Sequence, residues 1–207
     1  VDFVYPVQAV IPGTQGRVLA VLAESTAELN LRTVARLARV SPAQASRVLP
    51  GLVELGLVER REVPPSSLFR LNRQHIAAKA VIELARSHDI ALERIATAAR
   101  NLQVPPASLI IFGSFARREA DRHSDIDALI VRPDGVDEDD ETWATGLEQW
   151  RDVVRSVTGN RVEVIETDRA EATEKLAGRQ SVWRDIATDG VVVHGATLDE
   201  LRGAVHA

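Results

Sequence analysis

The sequence predicts an α/β chain of the α+β kind in two parts, and three observations carry that prediction. Up to about residue 72, three helical apolar patterns are followed by a hairpin pattern. After residue 105, short apolar strands alternate with helical stretches. Charge divides at the same place: residues 1–104 hold 13 Lys and Arg against 9 Asp and Glu, and residues 105–207 hold 12 against 21. A basic front and an acidic back suggest two modules with different partners.

Composition narrows the class. Of 207 residues, 45% are hydrophobic and 27% charged, too apolar for a disordered chain. No run of 18 apolar residues and no leading signal pattern occurs, so the expectation is a soluble, cytoplasmic protein with no membrane partner. Without Cys there is no disulfide, thiolate metal site or Cys nucleophile. Without Met, residue 1 is not taken as the natural start. Lys79 and Lys175 are the only lysines, a bias that GC-rich coding explains as well as phosphate binding does.

Residues 1–12 read as an extended lead-in. A helix follows with Thr14 as its N-cap and Val18, Leu19, Val21 and Leu22 on its apolar face. A second runs from about Leu31 to Arg39, with Val34, Leu37 and Ala38 inward. Ser41 as N-cap and Pro42 at the first position open a third, whose buried face is Ala45, Val48, Leu49, Leu52, Val53 and Leu55 and which Gly56 ends. Leu57–Val63 alternates as a strand, residues 64–67 turn, and Leu68–Leu71 returns.

This order, most clearly in LRTVARLARVSPAQASRVLPGLVELGLVERR, resembles the winged helix-turn-helix domain of bacterial transcription regulators. The resemblance implies double-stranded DNA as a partner. Ala43, Gln44, Ser46 and Arg47 would face the major groove, and Arg60 and Arg61 at the base of the wing would meet phosphates. Pro50 departs from the pattern and should kink or shorten the third helix.

Residues 73–104 form a connecting amphipathic stretch through Ile76, Val81, Leu84, Ile90, Leu92, Ile95 and Leu102, broken near Ser87-His88-Asp89. Its apolar face could pack on the next domain or on a second copy in a homodimer. Val104-Pro105-Pro106 closes it, so the domains read 1–72, 73–104 and 105–207. Next come a strand at Ser108–Phe112, a helix from Ser114, a strand at Ile126–Val131 and an acidic loop at Asp134–Asp140. A helix over about Thr142–Val157, a strand at Arg161–Glu166, one or two helices over Arg169–Thr188, a strand at Val191–Val193 and a helical tail complete the chain. The run Asp137–Glu141 reads as a solvated helix start, not a metal site. Trp143, Trp150 and Trp183 read as core, and His123 as a solvated loop residue.

The chemistry concentrates in IIFGSFARREADRHSDIDALIV, Ile110–Val131. Asp125 and Asp127 lie two apart on a strand, so both carboxylates point to one face. Two like charges there need a cation between them, and hard oxygen ligands suit Mg²⁺ or Mn²⁺ carrying substrate phosphates. Gly113-Ser114 follows a strand and opens a helix, where free N–H groups favour an anion.

Gly-Ser, ten residues, then Asp-x-Asp resembles the signature of the DNA polymerase β-like nucleotidyltransferase superfamily, and GSFARREADRHSDIDALIV looks most like its minimal bacterial and archaeal members. The resemblance covers about residues 105–195 and implies a mixed sheet flanked by helices. It also implies a third carboxylate on a neighbouring strand. Glu163 in VEVI is the favoured candidate; Glu166 competes, but its odd offset turns it to the other face. Asp125, Asp127 and Glu163 would then be the catalytic, metal-binding set, with Glu163 also available as general base. Gly113, Ser114 and Arg117 would bind ATP or another NTP. Arg118 stands where the family usually has Gly.

The implied activity is metal-dependent transfer of a nucleoside monophosphate, AMP first among them, to a hydroxyl of a protein or small molecule. Many minimal members are encoded beside HEPN-like partner proteins as toxin–antitoxin pairs, which makes such a partner the expected acceptor. Two alternatives stand beside it: a winged-helix regulator whose transferase domain senses nucleotide, and a tRNA- or antibiotic-modifying transferase.

Overall fold

The computed structural model describes residues 2–178 and 180–203. It divides into two compact units, Tyr5–Ser87 and a second formed by the chain from His88 onward with residues 2–4.

In the first unit the order is α1 (Pro6–Val10), α2 (Gly13–Glu24), β1 (Leu29–Asn30), α3 (Leu31–Leu37), α4 (Pro42–Glu54), β2 (Val58–Val63), β3 (Ser66–Leu71) and α5 (Ala78–Ala85). The strands form an antiparallel sheet in the order β1-β3-β2. Val18, Leu22, Val34, Ala45, Leu49, Leu52 and Phe69 make its core. Ser41 caps α4 in a reciprocal capping box with Gln44, which satisfies two backbone N–H groups at once.

Several expectations change here. The lead-in contains the helix α1. Thr14 lies inside α2, because Pro12 is the N-cap and Gly13, at φ +79°, takes the turn into the helix. Leu37 is 46% exposed, since it stands off the stripe formed by Val34, Ala35 and Ala38. Leu55 is 64% exposed at the C-cap, where the chain leaves the packed face for Gly56. Ile76, on the stretch before α5, is 95% exposed. Pro50 neither breaks nor shortens α4, which runs through it to Glu54. Ser46 and Pro50 are both exposed, so the Ser46 carbonyl that loses its helical donor can be served by solvent.

The second unit contains α6 (Ser87–Arg100, from His88 on), β4 (Ser108–Phe112), α7 (Gly113–Ala116), β5 (Ile126–Val131), α8 (Glu141–Thr158), β6 (Val162–Thr167), α9 (Arg169–Ala177), α10 (Ser181–Asp189), β7 (Val191–Gly195) and α11 (Leu198–Leu201). Its mixed sheet has the order β6-β5-β4-β7, with β5 parallel to β6 and β4 antiparallel to both neighbours. Leu109, Ile111, Ala128 and Ile130 pack on one face with Ile95 of α6 and Trp143 and Trp150 of α8. Ile110, Phe112, Leu129 and Val131 pack on the other with Leu176 of α9 and Trp183 and Ile186 of α10. Burial on both faces is why these strands are apolar at successive positions.

The connecting stretch is shared between the units. Ala78 and Val81 of α5 enter the first core, whereas Ala91, Ile95 and Ala99 of α6 enter the second. The division between the two compact units therefore falls between Ser87 and His88, within the connecting stretch 73–104. Among the described residues no helix is long and apolar enough to cross a membrane.

Candidate active site

The mixed sheet brings the predicted carboxylates to one place. Asp127 faces Phe112 of β4 on one side and Glu163 of β6 on the other. Register partners share a face, so Asp127 and Glu163 stand on the side of Leu129 and Val131. Asp125 lies just before β5 and, like Glu163, is exposed, while Asp127 is half-buried. Glu166 is turned to the opposite face, where its carboxylate accepts from Trp143 Nε1 at 2.8 Å and from Arg132 Nη1 at 2.7 Å. That competitor is consumed by structure.

Gly113 opens α7 at φ +69°, against the Asp127 side chain. A β-carbon there would overlap Asp127 Oδ2 and stand 3.2 Å from its Cγ. Only glycine allows both this backbone conformation and this approach. Ser114 follows, half-buried, with its carbonyl accepting from Glu119 N at 2.8 Å.

The electrostatics centre on Asp127. Burial pushes its carboxyl up, the charges of Asp125 and then Glu163 push it further, and Arg117 pulls against them. Arg117 is held by Glu119 (Nε to Oε2, 2.9 Å) and by Asp189 at the end of α10 (Nη1 to Oδ2, 3.3 Å). A divalent cation among three carboxylates would turn two repulsions into attractions, so the donor set fits one chemically. Among the described residues no three His, Cys, Asp or Glu side chains already converge as a metal cage.

One support escapes the sequence reading. Asn160, 2% exposed, donates from Nδ2 to the carbonyls of Asp121 (2.9 Å) and Ser124 (2.8 Å). It thereby ties the loop before Asp125 to the start of the strand that carries Glu163. Its only local signal is its place after Gly159, the left-handed end of α8. Arg118 adopts φ +61° and pairs with Asp89. That left-handed backbone explains why glycine suits the position.

In the winged unit, Ala43 and Arg47 are exposed on α4. Gln44 Oε1 accepts from Ser41 N at 2.9 Å, leaving its amide N–H groups for other work. Ser46 is exposed on the side that faces the wing. Arg60 donates to Ser67 Oγ at 3.0 Å and pairs with Glu62 at 3.2 Å. Arg61 is gripped by both carboxylate oxygens of Glu28.

Separate family models match the two units. The nucleotidyltransferase domain model matches residues 92–189, and the MarR family model matches residues 11–66. The chain carries a MarR-family winged helix and a nucleotidyltransferase domain. The nucleotidyltransferase match encloses Gly113, Asp125, Asp127, Glu163 and Asp189. The chain is also similar to a solved structure described as a toxin-antitoxin with AMP-PNP, at 19% identity over 55% of this chain and 81% of that one, with a TM-score of 0.38. A mutant form of the toxin-antitoxin MntA-HpeT is similar at 16% identity over 55% and 80%, with a TM-score of 0.37. No curated protein matches the chain.

Proposed function

We propose that the second unit transfers a nucleoside monophosphate, with AMP from ATP as the first candidate, to a hydroxyl of a partner protein or small molecule. The observation that carries this reading is the place of Asp127, pressed against Gly113 and in register with Glu163. Asp125 and Asp127 would hold Mg²⁺ or Mn²⁺, with Glu163 as the third ligand. A bound ion of this kind lowers the pKa of the acceptor hydroxyl and offsets the charge of the triphosphate. Glu163, exposed on the edge strand β6, would accept the acceptor's proton. The N–H groups of Gly113 and Ser114 would orient the β and γ phosphates, and Arg117 would turn from Asp189 to them. Attack at the α-phosphorus expels pyrophosphate and leaves the nucleotide on the acceptor oxygen.

The motif's likeness to minimal nucleotidyltransferases supports a HEPN-like partner protein as acceptor. Incubation with Mg²⁺, each labelled NTP and the product of the neighbouring gene tests this. Label should reach the partner with the native chain and not with the Asp125→Ala/Asp127→Ala variant. Label transfer that survives in that variant rules the reading out.

A second reading rests on the MarR family match and on Arg47 exposed on α4. The first unit would bind double-stranded DNA, with the second sensing nucleotide or modifying a partner beside it. Salt-sensitive binding to upstream DNA without any label transfer would favour this reading alone.

A further inference from the structure

α7 is a single turn of four residues, too short to hold its own geometry, yet it sets where Gly113 meets Asp127. Its fixation comes from beneath. Phe115 is fully buried, and its ring stacks on that of His88, centroids 4.7 Å apart at 28°. Phe3 closes the cluster edge-on to Phe115 at 4.8 Å, while its own N–H bonds Ala120 O at 2.9 Å. His88, 4% exposed, reaches Phe115 O with Nε2 at 2.8 Å. A carbonyl can only accept, so Nε2 carries the proton. Next to His88, Asp89 pairs with Arg118, the left-handed residue at which the chain leaves α7.

We propose that His88 is a positioning residue for the nucleotide-binding turn. Its Nε2–H and ring lock Phe115, and with it the Gly113–Ser114 backbone, against β5. A solvent-facing role is ruled out by its burial. The inference rests on the proposed nucleotidyl transfer for its functional meaning but not for its structural content.

The test uses the full chain and two variants. His88→Phe keeps an aromatic ring for stacking but loses the donor. His88→Gln restores an amide donor. Amide exchange is followed at Arg117 and Arg118, whose N–H groups bond Gly113 O and Phe115 O, and ATP binding is measured with Mg²⁺ by calorimetry. His88→Phe should melt near the native temperature, exchange about tenfold faster at those amides and bind ATP about tenfold more weakly. His88→Gln should recover most of both losses. Unchanged exchange at Arg117 and Arg118 in His88→Phe overturns the proposal. If the native chain does not bind ATP, the functional reading fails by itself, and the exchange result still decides what His88 does.

Discussion

Gly113 and Asp127 are in direct contact across β4 and β5, and no β-carbon fits at position 113 without displacing the Asp127 carboxylate. Gly113→Ala should therefore fail twice. The left-handed backbone costs an alanine about 1–2 kcal/mol, and the overlap adds to it. We expect a loss of ~2 kcal/mol or more in urea unfolding and a fall in nucleotide transfer of at least about 100-fold. Native-like transfer in this variant would show that the turn does not approach the Asp125 and Asp127 carboxylates during the reaction.

Asp127→Asn should stabilise the chain while removing its activity. In the folded state the Asp127 carboxyl sits above its ordinary range, through burial and then Asp125 and Glu163. A raised carboxyl favours folding only while protonated, and that contribution is lost as pH rises through the folded value. At neutral pH the variant should be more stable, by up to about 1 kcal/mol because the group is half-exposed and screened. The gap should close as pH falls through the raised value. Millimolar Mg²⁺ should raise the melting temperature of the native chain and leave the variant unmoved. A gap that widens in acid refutes this account.

Arg118 separates strain from pairing. Burial alone would raise the Asp89 carboxyl, but the Arg118 guanidinium and then His88 hold it below its usual range. Arg118→Ala keeps the positive φ and loses the pair, so it should destabilise by up to about 1 kcal/mol. Arg118→Gly also loses the pair but relieves the backbone by about 1 kcal/mol, so it should unfold close to the native midpoint. Equal denaturation midpoints for the two variants would remove backbone strain from the explanation.

The winged unit should bind DNA through α4 more than through the base of its wing. Arg47 is exposed on α4, whereas Arg61 is held by Glu28, which in turn lies below its usual acidity range chiefly because of that hydrogen bond. Arg47→Ala should weaken specific binding by about 1–3 kcal/mol if it reads a base. Arg61→Ala should cost less, because binding through it first requires breaking the Glu28 pair. Fluorescence anisotropy over a salt series compares them, and a larger loss for Arg61→Ala would invert the assignment.

Pro50→Ala should make α4 more stable. The helix already passes through position 50, so alanine restores a donor for the Ser46 carbonyl and removes the ring. A gain of about 1–3 kcal/mol in thermal unfolding is expected, and a loss would mean that the ring packs in the groove between α4 and the wing.

Apart from α1 and the two-residue β1, the helix and strand order of both units was legible in the chain because periodicity reports which faces are buried. Ser41-Pro42 set the start of α4 by local hydrogen bonding, and Ile110–Val131 carried the turn and Asp125-x-Asp127 within 22 residues. Glu163 was separable from Glu166 by parity alone, since strand side chains alternate.

What the sequence determined by itself is therefore local: most element types, the Ser41 cap, and the spacing of Asp125 just before β5 and Asp127 within it. The tertiary structure decided everything that depends on pairs distant in the chain. The β5-β6 register put Glu163 beside Asp127, and Asn160 tied Asp121 and Ser124 to the end of α8. Packing put His88 beneath Phe115 and gave α5 and α6 to different cores. Period and propensity act over a few residues, whereas register, burial and a neighbouring charge exist only once separate segments share the same space.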